Sequence, residues 1–155
     1  MRAVVQRALE ASVTVDGEVV GALPGPGLVA LVGVTHDDGD AQVEAMARKI
    51  AGLRIMPGEA SVSDLTERGA STGVLVVSQF TLYGDVRKGR RPSWTRAAKG
   101  DQAEPLYERF TAELEAAGVR VERGVFGAMM DVSLTNSGPF TLIVDSDELA
   151  GPRRG

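Results

Sequence analysis

Leu28-Val29-Ala30-Leu31-Val32-Gly33-Val34 is an unbroken apolar run, and Val74-Leu75-Val76-Val77-Ser78-Gln79-Phe80-Thr81-Leu82-Tyr83 is a second stretch rich in β-branched and aromatic residues. The first is too short for a membrane span and reads as a central, buried strand. The second reads as a strand with two distinct faces, because side chains alternate along extended backbone. Val74, Val76, Ser78, Phe80 and Leu82 share one face; Leu75, Val77, Gln79, Thr81 and Tyr83 share the other. That second face turns from apolar to polar toward its C-terminal end, the pattern of a site at the strand end and equally of a plain solvent-exposed end.

The rest of the chain arranges itself around these two strands. Residues 3–15 are rich in β-branched residues, Asp16-Gly17 is a hairpin signal, and residues 18–22 return as a second strand. Leu23-Pro24-Gly25-Pro26-Gly27 is a turn. A helix is expected over residues 40–52, where Val43, Met46, Ala47, Ile50 and Leu53 repeat at helical spacing and one of Asp37, Asp38 or Asp40 caps the start. A short strand over 53–56 and a long loop over 57–73 follow. A second helix is expected over 101–117, with Asp101 and Glu104 as a capping box, Pro105 in the first turn and Gly118 at the left-handed C-terminal position. Its apolar stripe is Ala103, Leu106, Tyr107, Phe110, Leu114 and Ala117. Strands at 119–123 and 130–136, a turn at Ser137-Gly138-Pro139 and a last strand at 140–145 complete the pattern. The fold class is α/β: mainly antiparallel sheet, barrel- or sandwich-like, with two to three helices in a single domain. Residues 147–155 read as a C-terminal tail.

Composition narrows the chemistry. The 155 residues include no cysteine and one histidine, His36. Disulfides, thiolate catalysis and Cys-based metal sites are excluded. His36 lies in an acidic loop, His36-Asp37-Asp38-Gly39-Asp40, and reads as a solvated loop residue rather than a catalytic base. The loop lacks EF-hand spacing, so no metal and no cofactor is expected. Neither GxGxxG nor the Walker pattern occurs, which disfavours nucleotide hydrolysis and dinucleotide redox chemistry. No stretch has the form of a signal peptide or a membrane span, and the expectation is a cytoplasmic protein. Net charge is −4, yet Arg87, Lys88, Arg90, Arg91, Arg96 and Lys99 form a run without an acidic residue among them. Such a patch on an acidic protein suits either one phosphate-rich element or a plain solvated loop.

Two segments carry a resemblance. Ser78-Gln79-Phe80-Thr81-Leu82 continues through Tyr83-Gly84-Asp85 to Lys88-Gly89-Arg90-Arg91-Pro92-Ser93, and Asn136-Ser137-Gly138-Pro139-Phe140-Thr141 lies near the C-terminus. Together they resemble the paired SQxxT and NxGPxT motifs of the D-aminoacyl-tRNA deacylases. Arg2-Ala3-Val4-Val5-Gln6-Arg7, Ala11-Ser12-Val13, Lys49-Ile50, Leu53-Arg54-Ile55 and Phe126-Gly127-Ala128 are similar to that family as well. The likeness spans about the first 146 residues.

The resemblance implies a cytoplasmic homodimer that hydrolyses the ester between a D-amino acid, or glycine mischarged on tRNA-Ala, and the terminal adenosine of transfer RNA. It implies that Gly138-Pro139 is a cis peptide inserted into the partner's site, where its carbonyls exclude L side chains. Ser78, Gln79, Phe80 and Thr81 are then the catalytic segment, with backbone N–H groups at Phe80 and Thr81 as oxyanion donors. Thr81 is either a nucleophile, which needs a neighbouring base, or a group that orients substrate or water; a purely structural strand threonine is the bland alternative. Arg7 is implied to anchor the Gly-Pro turn, and Phe126 and Met130 to contact the adenosine, although both have the look of core residues. The basic run would meet the acceptor stem, with Trp94 stacking or packing. Ser137 and Phe140 depart from the family's usual Asp and Val, and they flank the pair that excludes L substrates. Two rival readings are a non-catalytic nucleic-acid-binding module and an editing deacylase of relaxed chirality.

Overall fold

A computed structural model describes residues 1–152. Strand β1 (Arg2–Val15) is the spine of a six-stranded sheet. It turns through Asp16 (φ 49°) and Gly17 (φ 81°), both left-handed as a two-residue hairpin requires, into β2 (Glu18–Ala22). Strand β3 (Gly27–Gly33) pairs antiparallel with the first half of β1. On the other edge of β1, β6 (Asp131–Asp145) runs antiparallel along nearly its whole length. Strands β4 (Val74–Ser78) and β5 (Val121–Arg123) extend the sheet from β3 by parallel pairing. Three strand pairs are thus antiparallel and two parallel. The sheet curls until β2 approaches β5: a Cβ at Gly21 would lie 2.4 Å from the carbonyl oxygen of Arg123. Only glycine permits that contact, and it leaves a nearly closed barrel.

Both faces of the central strands are buried, which is why their sequence is apolar throughout. Leu28, Ala30, Val32, Val74 and Val76 point to helices α1 (Asp40–Ala51) and α3 (Gly100–Ala116). Val29, Leu75 and Val77 point into the barrel, with Ala8, Ala11 and Val13 from β1. Phe110 and Leu114 of α3 are fully buried against the sheet. Truncating Phe110 to Ala would cost about 3–5 kcal/mol.

Several local expectations need correction. Helix α1 is capped by Gly39, whose N–H is met by the Gln42 side chain at 3.0 Å; Asp38 instead accepts from the N–H of Thr35 and pairs with the α-amine of Met1. No strand forms at 53–56, where Met56 makes one isolated bridge to Ala60. The stretch 57–73 is not a plain loop. It holds a 3₁₀ turn (Pro57–Glu59) and helix α2 (Val62–Glu67), started by a Ser61–Asp64 capping box. Those hydrogen bonds hold the Asp64 carboxyl below its ordinary pKa. Helix α3 has Lys99 at its N-cap without a side-chain bond, so Asp101 and Glu104 form no box, and Pro105 sits two residues further into the helix than expected. Ala117 is exposed, and Thr111 is buried in its place. Gly118 does take the left-handed conformation, at φ 79°. Residues 146–150 form a short helix, α4 (Ser146–Ala150), where a tail was expected; of that tail, residues 153–155 lie outside the described residues.

Candidate functional site

Strand β4 stops at Ser78, and the backbone does not run on to Tyr83 as the alternation suggested. Its neighbours end there: β5 is paired only as far as Arg123, and β3 ends at Gly33. The N–H of Gln79 makes a last bond to Val32 O (2.7 Å), and residues Phe80–Tyr83 wind into a 3₁₀ turn, with Leu82 N–H donating to Gln79 O (3.2 Å). Arg2 holds the turn from outside, donating to Leu82 O at 3.3 Å. The first N–H groups of a 3₁₀ turn have no partner within it. Among the described residues Phe80 and Thr81 donate no backbone hydrogen bond elsewhere. Gln79 Nε2 donates to Thr81 Oγ1, which fixes that hydroxyl over the turn. No histidine attends it: His36 is exposed, with Nε2 2.8 Å from Thr95 O.

The turn forms one wall of a small cavity of about 180 Å³. Ser78, Gln79 and Phe80 face Ala103 and Tyr107 of α3, and Phe126-Gly127 closes the far side. Tyr107 donates to Val76 O at 2.7 Å, and burial pushes its phenol up to about 12, so it remains a neutral structural wall. Phe126 lies 6.0 Å from the Tyr107 ring. Met130 is not part of this cavity; it packs with Val132 and Leu134 on the barrel interior. A larger open depression of about 990 Å³ between α1 and α4 contains none of the motif residues.

The second motif is a detour in β6. Gln6 pairs with Thr141 and Ala8 with Asn136, so residues 137–140 stand opposite Arg7 alone and bulge out of the sheet. Gly138-Pro139 is cis. Arg7 holds the detour by that segment's backbone, donating to Ser137 O (3.3 Å) and Gly138 O (3.2 Å), and its guanidinium is itself tied to the segment after α1 by a bond to Ile55 O (2.9 Å). Its guanidinium lies 4.5 Å from the centre of the Phe140 ring. Asn136, quoted in the motif but given no role by the sequence, closes the neck: Nδ2 donates to Arg7 O (2.9 Å) and Phe140 O (3.1 Å). The tip is free, since a Cβ at Gly138 would meet nothing within 4 Å. Within one chain the two motifs do not meet. Arg7 and Ala3, the β1 neighbour of Val32 beside Ser78, are four residues apart, about 13 Å along the strand.

The basic run is less uniform than its sequence. Arg87 is paired to Asp85 (Nε–Oδ1 2.9 Å), a carboxylate just outside the run, and the bond holds the Asp85 carboxyl far below its ordinary value. Arg96 lies 5.9 Å from the Tyr83 ring. Among the described residues Lys88, Arg90, Arg91 and Lys99 make no ion pair. No group of three or more His, Asp or Glu among them could hold a metal ion, and no helix is long and apolar enough to cross a membrane.

Comparison with known proteins bears out the resemblance. The family described as D-Tyr-tRNA(Tyr) deacylase matches residues 4–145. A protein of Micrococcus luteus named D-aminoacyl-tRNA deacylase is 77% identical over 155 residues, covering all of both chains. One of the same name from Kocuria rhizophila is 59% identical, again over all of both. Among solved structures, the c-Myc DNA unwinding element binding protein is 38% identical with a TM-score of 0.82, covering 94% of this chain and 98% of that one. A probable eukaryotic D-amino acid tRNA deacylase shares the fold, at 20% identity and a TM-score of 0.78, covering 92% and 97%. A motif-bearing turn beside a small cavity, a second motif held outward on Arg7 and relatives matched from end to end converge on one assignment: the chain belongs to the D-Tyr-tRNA(Tyr) deacylase family.

Proposed function

We propose that this chain hydrolyses the ester joining a D-amino acid to the 3′-terminal adenosine of transfer RNA, glycine mischarged on tRNA-Ala included, and that it does so in the cytoplasm as a homodimer. One observation carries the reading: Gly138-Pro139 is held outward by its own Arg7, with open space around Gly138, and cannot reach Ser78, Gln79, Phe80 and Thr81 of the same chain. A protrusion and a recess of this kind are complementary under two-fold symmetry. The Gly-Pro of one copy then lines the recess of the other, and its carbonyls stand where an L side chain would project. A backbone wall excludes L substrates by overlap and admits glycine, which has nothing to exclude. Ser137 in place of the usual Asp leaves the anchor intact, because Arg7 takes the carbonyl of residue 137 and not its side chain.

An aminoacyl ester is already activated, so positioning and oxyanion stabilisation suffice. Water attacks the carbonyl carbon, and the N–H groups of Phe80 and Thr81 take the developing oxyanion. The ester C–O bond then breaks, and the ribose 3′-oxygen leaves with a proton, assisted by the neighbouring 2′-OH. Thr81, bonded to Gln79 and without a base, orients substrate or water. The terminal adenosine occupies the cavity against Phe126; Met130 supports the segment from behind. The acceptor stem lies toward the basic run.

The test is side-by-side deacylation of D-Tyr-tRNA and L-Tyr-tRNA with a chelator present. Rapid loss of the D ester alone is expected. Loss of both supports the relaxed-chirality reading, for which Phe140 beside Gly138-Pro139 is the residue to change. Loss of neither supports a binding module, a reading favoured by the exposed cations and by the name of the DNA-binding relative.

A further inference from the structure

The hairpin that leaves the 3₁₀ turn carries a surface that ester hydrolysis does not need. Gly84 leads into residues 85–93, a loop closed by reciprocal 2.8 Å bonds between Asp85 and Ser93. Trp94, the only tryptophan in the chain, stands at its exit. The indole meets the Phe80 ring edge to face, with centroids 5.5 Å apart and planes at 77°. It lies so close to Gly84 that a Cβ there would come within 2.7 Å of Cζ3. Trp94 is therefore held in one orientation, yet it is 43% exposed, and Phe80 is 55% exposed. Val86 on the same hairpin is also exposed. An apolar patch this open, set in a charged rim, marks an interaction surface.

The charges say what kind. Arg87 is neutralised by Asp85 and tightens the base of the hairpin. Lys88, Arg90 and Arg91 around the tip at Gly89 (φ 68°) are exposed and unpaired among the described residues. Fixed aromatic faces beside free cations fit a ligand with flat apolar faces and a regularly charged backbone, which is single-stranded nucleic acid. A duplex keeps its base faces stacked inside and offers nothing to the rings.

We propose that Phe80 and Trp94 form a stacking platform for an unpaired nucleotide preceding the terminal adenosine, while Lys88, Arg90 and Arg91 hold the adjoining phosphates. The proposal rests on the deacylase reading, because Phe80 belongs to both surfaces: its backbone faces the reacting ester and its ring faces the incoming strand. The platform threads the 3′ end across the hairpin and delivers its last residue to the cavity.

Two measurements test it. In the first, D-tyrosine is esterified either to adenosine alone or to the terminal trinucleotide, and kcat/KM is compared. The ratio of trinucleotide to adenosine should fall about tenfold in Trp94→Leu, the scale of one lost base stack, and recover in Trp94→Phe. An unchanged ratio, with both substrates losing equally, means that Trp94 only supports Phe80 and overturns the platform. The second needs no turnover: an uncharged oligonucleotide ending in the unpaired trinucleotide should quench Trp94 fluorescence, and a blunt duplex should not. Arg90→Ala and Arg91→Ala together should reduce the salt dependence of that binding by about 0.7 per lost phosphate contact on a log–log plot. An enzyme that hydrolyses D esters without quenching overturns the platform alone. A chain that hydrolyses no D ester overturns the deacylase reading and the platform's place in it.

Discussion

Residues 78–83 and residues 136–141 both interrupt a strand, and in opposite senses. At the first, β4 runs out of partners, and the chain winds into a tight turn that starts beside a cavity lined by Ser78, Gln79 and Phe80, with the N–H groups of Phe80 and Thr81 left free. At the second, β6 keeps its partner on both sides, and the surplus residues are expelled into open space. The recess is stabilised by bonds that leave its donors free. The protrusion is stabilised by bonds from Arg7 to the carbonyls of Ser137 and Gly138, which leave open space where a Gly138 side chain would stand. A turn can thus be rigid for two different purposes, and the direction of its anchoring bonds tells which.

The largest expected effect comes from breaking the protrusion without touching its anchor. Gly138→Val meets nothing in its own chain, so the thermal midpoint should stay close to that of the parent. Deacylation of D-Tyr-tRNA should nevertheless fall by about two orders of magnitude, the usual result of displacing a substrate by about an ångström. A matching loss of stability would mean that the tip is structural and not part of a site.

Removing the anchor should do less to activity and more to stability. Arg7→Ala forfeits three charge-assisted bonds to carbonyls and the contact with Phe140. We expect roughly a tenfold loss of kcat/KM and about 1–2 kcal/mol in denaturant unfolding. Arg7→Lys should rescue little, because a single ammonium cannot span Ile55 O and Gly138 O together.

The recess should tolerate loss of its hydroxyl. Thr81→Ala keeps both N–H donors and should retain activity within about tenfold. A fall beyond about three orders of magnitude, the scale of a removed nucleophile, would show that the hydroxyl and not the backbone does the chemistry.

The smallest effect sharpens the comparison at the hairpin beside the recess. Asp85 has its carboxyl held below its ordinary value by the hydrogen bonds from Arg87. Its contribution is therefore complete at neutral pH and is lost only as pH falls through that depressed value, below the usual aspartate range of about 4. The Ser93 N–H, which donates to Asp85 O, should lose hydrogen-exchange protection, taken relative to its intrinsic rate, on acidification in the parent. Asp85→Asn should abolish the pH dependence of that protection.

The strands that build the barrel were legible because each obeys a local rule. Asp16-Gly17 turns as a type I′ hairpin must, the 28–34 run is apolar because both of its faces are covered, and Val43, Met46, Ala47 and Ile50 fall on one buried face of α1. Gly118 ends α3 as expected. Phe80-Thr81-Leu82-Tyr83 misled the reading because its residues favour extended structure; the turn forms only because β3 and β5 end beside it. Helix α2 was missed in a stretch that holds three glycines and a proline, although Ser61 and Asp64 carried its capping signal. Residues 130–145 were divided in two at Gly138-Pro139, whereas β1 reimposes the register on the far side. For the site, the sequence supplied the motif residues and their likeness to a family. It did not show that Phe126 joins Ser78, Gln79 and Phe80 around one cavity while Met130 turns away, nor that Asp85 cancels Arg87.

What the sequence determined by itself was whatever depends on neighbours in the chain: strand and helix periodicity, the β1–β2 hairpin, the lack of thiol chemistry, and two motifs whose types and order name the family. What only the tertiary structure decided was where strands end, which cations remain free and which motif faces inward. Those outcomes depend on partners far apart in sequence, such as Arg7 with Gly138 or Val32 with Gln79. Hydrogen bonds and close contacts act over a few ångströms, and only folding brings such groups that near.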